Sequence, residues 1–82
     1  MAYRAAQEHE RVALDWAGTQ INLGNALAGL AKRQNKAQRM EEGLTCVRSA
    51  LEVYEQGKVT YWLPIAQRRV TEMQAELVEL QR

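Results

Sequence analysis

Two segments in the second half of the chain carry apolar residues at alternating intervals of four and three. This spacing places the apolar side chains on one face of an α-helix, because a helix completes a turn every 3.6 residues. It predicts helices over about 37–56 and 61–80. The first apolar face is formed by Met40, Leu44, Val47, Leu51 and Tyr54, and the second by Ala66, Val70, Met73, Leu77 and Leu80.

The first half of the chain has a less regular pattern. A helix is predicted over about 16–32, with Trp16, Leu23, Leu27 and Leu30 on one side, and a weaker one over 2–12, marked by Tyr3, Ala6 and Ala13. Only Asp15 is available as an N-cap between them, and neither Gly nor Pro enforces a turn. One long helix over 2–32 is therefore the alternative.

The predicted turns contain residues that suit them. Asn35 tolerates the left-handed conformation that ends a helix, Gly57 suits the end of the third helix, and Thr60 is a candidate N-cap for the last one. Pro64 then falls near the first helical turn, where a missing N–H is tolerated. We expect a buried core that includes Leu23, Leu27, Leu44, Val47, Leu51 and Val70.

Composition supports an all-α class and excludes several others. The 82 residues contain a single proline, and we find no alternating β-branched run. Eleven basic residues against ten acidic ones argue against a nucleic-acid-binding protein. The uncharged run 16–31 is too short and too polar for a membrane span. The single cysteine, Cys46, precludes an internal disulfide, so we expect a reducing compartment such as the cytoplasm. Closely spaced Cys and His ligands are absent, so we expect no metal, and we expect no other cofactor.

A faint internal repeat runs through the chain. Residues 2–7 align with 46–51, Trp16 with Trp62, and Leu23 with Val70, at offsets of 44, 46 and 47. A period of this size is typical of helical-hairpin repeats.

The repeat resembles the tetratricopeptide family. Leu23-Gly24 followed by Leu27 resembles the family's helix A motif, while Gly43, Val47 and Ala50 hold the helix B positions, with Val in place of an aromatic residue. Residues 15–27 are more similar to a long bacterial variant of the repeat. The match weakens over 58–82, where Val70-Thr71 replaces the Leu-Gly pair.

The resemblance implies a fold of antiparallel helical hairpins, a fragment of an α-solenoid with three to four helices. Residues 1–82 then form one domain. Residues 2–14 are the end of a preceding helix B, 15–57 are one full repeat, and 58–82 are helix A of the next repeat.

The resemblance also implies a function. A helices line the peptide-binding groove of the family, so the chain is expected to be a non-catalytic scaffold that binds a peptide or protein segment. The alternative is that the polar side chains at these positions serve packing between helices. The groove candidates are Asn22, Asn25, Arg68, Arg69 and Glu72.

The competing hypothesis is a homo-oligomerisation module, in which two or more chains complete one helical bundle. The last helix has no following helix B to cover its apolar face. Its self-association candidates are Val70, Met73, Leu77 and Leu80.

The remaining polar residues have ordinary explanations. His9 lacks a second ligand, and Cys46 is interpreted as a small buried hydrophobe. Trp16 and Trp62 are interpreted as structural anchors at repeat junctions. The basic cluster of Lys32, Arg33, Lys36 and Arg39 offsets a helix dipole more readily than it binds an anion. No catalytic arrangement stands out in the sequence, so we expect no enzyme.

Overall fold

The structure is a computed structural model that describes the backbone of residues 2–82 and the side chains of residues 7–82. Over the described backbone it consists of three α-helices and no strand. Helix α1 comprises Ala2–Gln34, α2 comprises Ala37–Gln56, and α3 comprises Trp62–Gln81. The all-α prediction is confirmed. The boundaries of α2 agree with the predicted helix, and α3 begins one residue later than expected.

The two helices predicted in the first half of the chain are a single helix, as the alternative proposed. Asp15 lies in the middle of α1, where its backbone carbonyl accepts a hydrogen bond from the Thr19 hydroxyl at 3.1 Å. It therefore does not cap a new helix. The Tyr3 and Ala6 side chains lie outside the described residues.

The turn between α1 and α2 forms as predicted at Asn35. This residue has a φ of 54°, in the left-handed region, and the next amide, that of Lys36, donates to the Ala31 carbonyl at 3.0 Å. Asparagine is one of the few residues that adopts this conformation readily. The tight reversal makes α2 run antiparallel to α1.

The turn between α2 and α3 differs in detail from the prediction. Gly57 follows the last residue of α2 but has a right-handed φ of −84°, and Lys58 takes the left-handed φ of 54° instead. The residue before α3 is Tyr61, and no side chain caps the helix, so the predicted Thr60 cap is wrong. Pro64 occupies the first turn of α3, as expected.

Two clusters of side chains form the core. One is built around Met40, Leu44, Val47 and Met73, with Ala28 and Ala31 of α1. The other joins Ala17, Ala50, Tyr54 and Ala66. Small residues supply much of this core because α1 and α2 approach each other closely.

The core prediction is only partly correct. Leu44 and Val47 are buried as expected, whereas Leu27, Leu51 and Val70 are half-buried. Leu23 is 47% exposed, so its predicted burial is wrong. The residue after it, Gly24, is the one that meets α2, and this rotates the Leu23 side chain away from the interface.

Candidate functional site

A cleft of about 620 Å³ opens between α1 and α3, with α2 at its base. Its size lies within the range of ~300–1,000 Å³ that is usual for ligand-binding clefts. Most of its lining comes from one face of α1, at spacings of three and four residues. The lining residues are Leu14, Asp15, Gly18, Thr19, Ile21 and Asn22 of α1, Tyr54 of α2 and Trp62 of α3.

Gly18 gives the cleft its depth on the α1 side. A methyl group placed on its Cα would meet no atom within 4 Å other than its own local backbone. Any larger residue at this position would therefore project into open space along the cleft wall. Asn22, one turn further along α1, presents an exposed amide that can both donate and accept hydrogen bonds.

Aromatic residues line the opposite side and the base of the cleft. Trp62 is 46% exposed, and its ring lies 5.0 Å from that of Tyr61 in an edge-to-face arrangement. Tyr54 is buried, and this burial raises the pKa of its phenol because the charged phenolate is disfavoured away from water. The cleft thus combines apolar ring surface with a few polar groups.

A polar network connects α1 to α3 further along the same side. The Nε atom of Arg69 donates to the Asn25 side-chain oxygen at 2.6 Å. An Nη atom of Arg69 lies 3.8 Å from a Glu72 carboxylate oxygen and 3.6 Å from one of Glu76. Lys32 of α1 reaches the same Glu76 oxygen at 3.1 Å.

This network separates the predicted groove residues into different roles. Asn25, Arg69 and Glu72 bond within the protein, which favours the packing alternative for Asn25. Asn22 lines the cleft, and Arg68 is exposed outside it. The sequence reasoning missed Glu76, although its position seven residues after Arg69 places both on one face of α3.

The other carboxylate oxygen of Glu76 is buried and has no hydrogen-bond partner among the described residues. The first oxygen forms ion pairs with both the Lys32 ammonium and the Arg69 guanidinium. The carboxylate is therefore held from one side only.

The predicted self-association face of α3 is covered in part within the chain. Met73 is fully buried against α1 and α2, and Val70, Leu77 and Leu80 pack against the same cluster. Val70, Leu77 and Leu80 remain half-buried against this cluster of α1 and α2 residues. Met73 in particular is not available to a second chain.

The other candidates remain isolated. No group of three or more metal-ligating side chains occurs among the described residues. His9 is exposed and Cys46 is half-buried with a free thiol. Arg39 pairs with Glu42 at 3.1 Å, and Lys32 pairs with Glu76, so the basic cluster is partly neutralised.

Comparisons with family models, curated proteins and solved structures found no match to this chain. Within the described part of the chain, no helix has the length and apolar character needed to cross a membrane.

Proposed function

We propose that this protein is a non-catalytic interaction module that binds a peptide or protein segment in the cleft between α1 and α3. The observation that carries the proposal is the cleft itself, which has open space beside Gly18, the Asn22 amide on one wall and the Trp62 ring on the other. The tetratricopeptide resemblance supports the proposal in that it assigns the predicted helices at 16–32 and 61–80, which contribute to the cleft, to A helices. Residues 2–14 continue into the same helix, whereas the resemblance implies a separate helix B there.

The chemistry of the cleft suits an extended peptide. A peptide backbone has alternating N–H and C=O groups, and the Asn22 amide matches both of them. Trp62 offers apolar surface to a side chain of the ligand, since aromatic rings bury a large area at low entropic cost. The single acidic side chain of the lining, Asp15, has an exposed ion pair with Arg11 at 3.7 Å, so the cleft carries little net charge.

A cytoplasmic location is part of the same proposal. A single free thiol at Cys46 is compatible with a reducing compartment such as the cytoplasm.

A peptide selection tests the proposal directly. Random peptides displayed on phage are selected on the immobilised protein, and the affinity of selected synthetic peptides is measured by calorimetry. The Gly18→Leu variant places a side chain in the cleft. Gly29→Leu is the matched control, because Gly29 also has no neighbour within 4 Å but does not line the cleft.

The expected result is that selected peptides bind the wild type and Gly29→Leu alike but bind Gly18→Leu at least about tenfold more weakly. Asn22→Ala should weaken binding as well, since a peptide backbone group would lose its partner. Circular dichroism checks that each variant keeps its helices. Selected peptides that bind Gly18→Leu as well as the wild type would refute the cleft as the binding site.

A further inference from the structure

Helix α1 has a second apolar face that the described chain leaves open at Val12, Trp16 and Leu23 and covers in part at Leu27 and Leu30. Val12, Trp16 and Leu23 are 57%, 46% and 47% exposed. Half-buried Leu27 and Leu30 continue the same row. The spacing of four, seven, four and three residues places all five on one side of the helix. We call these residues the α1 stripe.

The α1 stripe lies on the side of α1 away from α3. Asn25, which is bonded to Arg69 of α3, follows Trp16 by nine positions, or about two and a half turns. Lys32, which is paired with Glu76 of α3, follows Leu23 by the same interval. The two side chains of each pair therefore point to opposite sides of α1. The stripe is separate from the cleft and from the apolar face of α3.

The charges at the two ends of α1 have opposite sign. Over residues 4–15, Glu8, Glu10 and Asp15 outnumber Arg4 and Arg11 by one, whereas Lys32 and Arg33 lie in the last turn of α1. The residues between 16 and 31 carry no charge. Two copies of α1 in antiparallel orientation would bring the acidic end of each against the basic end of the other. The positive end of each helix dipole would also lie beside the negative end of the other.

We infer that the α1 stripe is a self-association surface, on which a second copy of this chain packs its own α1 in antiparallel orientation about a two-fold axis. A two-fold contact requires a self-complementary surface. The α1 stripe meets this requirement, because its apolar residues are distributed about a centre near position 21 and its charged ends are of opposite sign.

This arrangement fixes the register of the pair. With the axis near position 21, Val12 faces Leu30 of the second copy and Trp16 faces its Leu27. Glu8 then lies beside Arg33 of the second copy, and the symmetry repeats this pair at the other end. Within one chain Glu8 contacts only Arg11 among the described ion pairs, at 2.7 Å on an exposed surface. Such an exposed pair is weak, so it does not prevent the contact with Arg33.

Sedimentation velocity over a series of protein concentrations measures this association. The wild type is expected to reach the mass of two 9.4-kDa chains at tens of micromolar. Leu23→Lys places a charge near the two-fold axis and should weaken dimerisation at least about tenfold. Val78→Lys is the matched control, because Val78 is an exposed apolar residue of α3 with 53% exposure, outside the α1 stripe.

Charge exchange tests the antiparallel register. Glu8→Arg alone and Arg33→Glu alone should each weaken the dimer, because each places like charges opposite one another. A chain carrying both changes restores opposite charges and should dimerise like the wild type. The effects of the single changes should diminish in high salt.

Three results would overturn the inference. The wild type could remain at the mass of one chain at the highest concentration, whether or not it binds selected peptides. Val78→Lys could weaken the dimer as much as Leu23→Lys does. The doubly exchanged chain could dimerise no better than the single variants, which would exclude the antiparallel register.

Discussion

Gly24 on α1 and Gly43 on α2 bring the backbones of the two helices into contact. A Cβ atom on Gly24 would lie 2.6 Å from a Val47 methyl group and 2.9 Å from the Gly43 carbonyl oxygen. A Cβ atom on Gly43 would lie 2.8 Å from the Gly24 carbonyl oxygen. A backbone oxygen cannot move aside as a flexible side chain can, so the absence of Cβ atoms sets the distance between the helices.

The first prediction is that Gly24→Ala and Gly43→Ala each destabilise the protein. Overpacking costs about 1–3 kcal/mol, which outweighs the ~1 kcal/mol that alanine gains over glycine within a helix. A net loss of up to about 2 kcal/mol is expected in urea unfolding followed by circular dichroism. Gly29→Ala is the control, because its Cβ meets nothing within 4 Å, and it should be neutral or stabilising. Equal stability of all three variants would contradict the close crossing.

The second prediction compares two leucines that the sequence analysis treated alike. Leu44 is 3% exposed, so Leu44→Ala should cost about 2–5 kcal/mol. Leu23 is about half exposed, and Leu23→Ala should cost less than ~1 kcal/mol in the monomer. Urea unfolding at low protein concentration measures both. A loss of unfolding free energy for Leu23→Ala as large as that for Leu44→Ala would show that Leu23 is buried, as the sequence predicted.

The third prediction concerns Tyr54 and alkaline pH. Burial raises the pKa of its phenol above the ordinary value of 10.0, so the folded state holds this proton more tightly than the unfolded chain does. The resulting stability is fully present below pH 10 and is lost as the pH rises through the folded-state pKa. The urea midpoint of the wild type should therefore fall more steeply above pH 10 than that of Tyr54→Phe, which lacks the titrating group. Identical pH profiles would contradict this role.

Residue-level burial was difficult to predict because the sequence analysis gave most weight to large apolar side chains. The helix crossing instead buries Ala17, Ala28 and Ala31 completely, and it leaves Trp16 and Leu23 partly in solvent. A helix can carry one apolar face of large side chains and another of small ones. Hydrophobic periodicity alone does not then tell which of the two faces packs against the neighbouring helix. Asn22, by contrast, was selected from the motif alignment and does lie in the lining of the cleft.

At the scale of the elements, α1 is longer than its partners. Its 33 residues span about 50 Å, whereas the 20 residues of α2 span about 30 Å. The end of α2 lies beside residues 9–14 of α1 and forms a shallow pocket with His9, Glu10, Ala13 and Leu14. The side chains of residues 7–12 are all exposed, so this part of α1 has few tertiary contacts.

The fourth prediction is a gradient of stability along α1. Amides of residues 7–12 should exchange with deuterium faster than those of residues 24–31, because local opening there breaks few tertiary contacts. Mass spectrometry of peptides from the two segments measures the difference. If a second copy covers the α1 stripe, raising the protein concentration should slow exchange around Val12 and Trp16. Uniform protection along α1 at every concentration would contradict the gradient.

Turn chemistry explains which element boundaries were predictable. Asn35 supplies a left-handed residue at the end of α1, and the reversal was found from that residue type. The end of α2 uses Lys58 in the left-handed region, although Gly57 stands beside it. No local signal separated 2–12 from 16–32, and the helix continues through that segment because nothing in it disfavours helical geometry.

The whole molecule is elongated, with extents of 53 × 19 × 13 Å. Helix α1 and α3 make only limited contact with each other, and they are joined through α2 and the network around Arg69 and Glu76. A chain of this size buries only ~60–65% of its unfolded surface. The open cleft on one side and the α1 stripe on the other follow from this shape, since the three helices of the described residues leave both surfaces open.

The fifth prediction follows from the small core and the exposed α1 stripe together. If two chains associate only in the folded state, mass action stabilises the fold as the concentration rises. A tenfold increase adds ~1.4 kcal/mol per dimer, which for a domain of this size raises the Tm by about 3–6 °C. Thermal unfolding of the wild type followed by circular dichroism should show this shift.

The same measurement on two variants assigns the shift to its surface. Leu23→Lys should have a Tm that hardly depends on concentration, because its chains remain apart, whereas Gly18→Leu should retain the wild-type dependence, since Gly18 lies in the cleft. A wild-type Tm that stays constant over a hundredfold range of concentration would mean that the folded chain is stable alone with the α1 stripe open to water. Equal concentration dependence in the wild type and Leu23→Lys would place the contact elsewhere on the molecule.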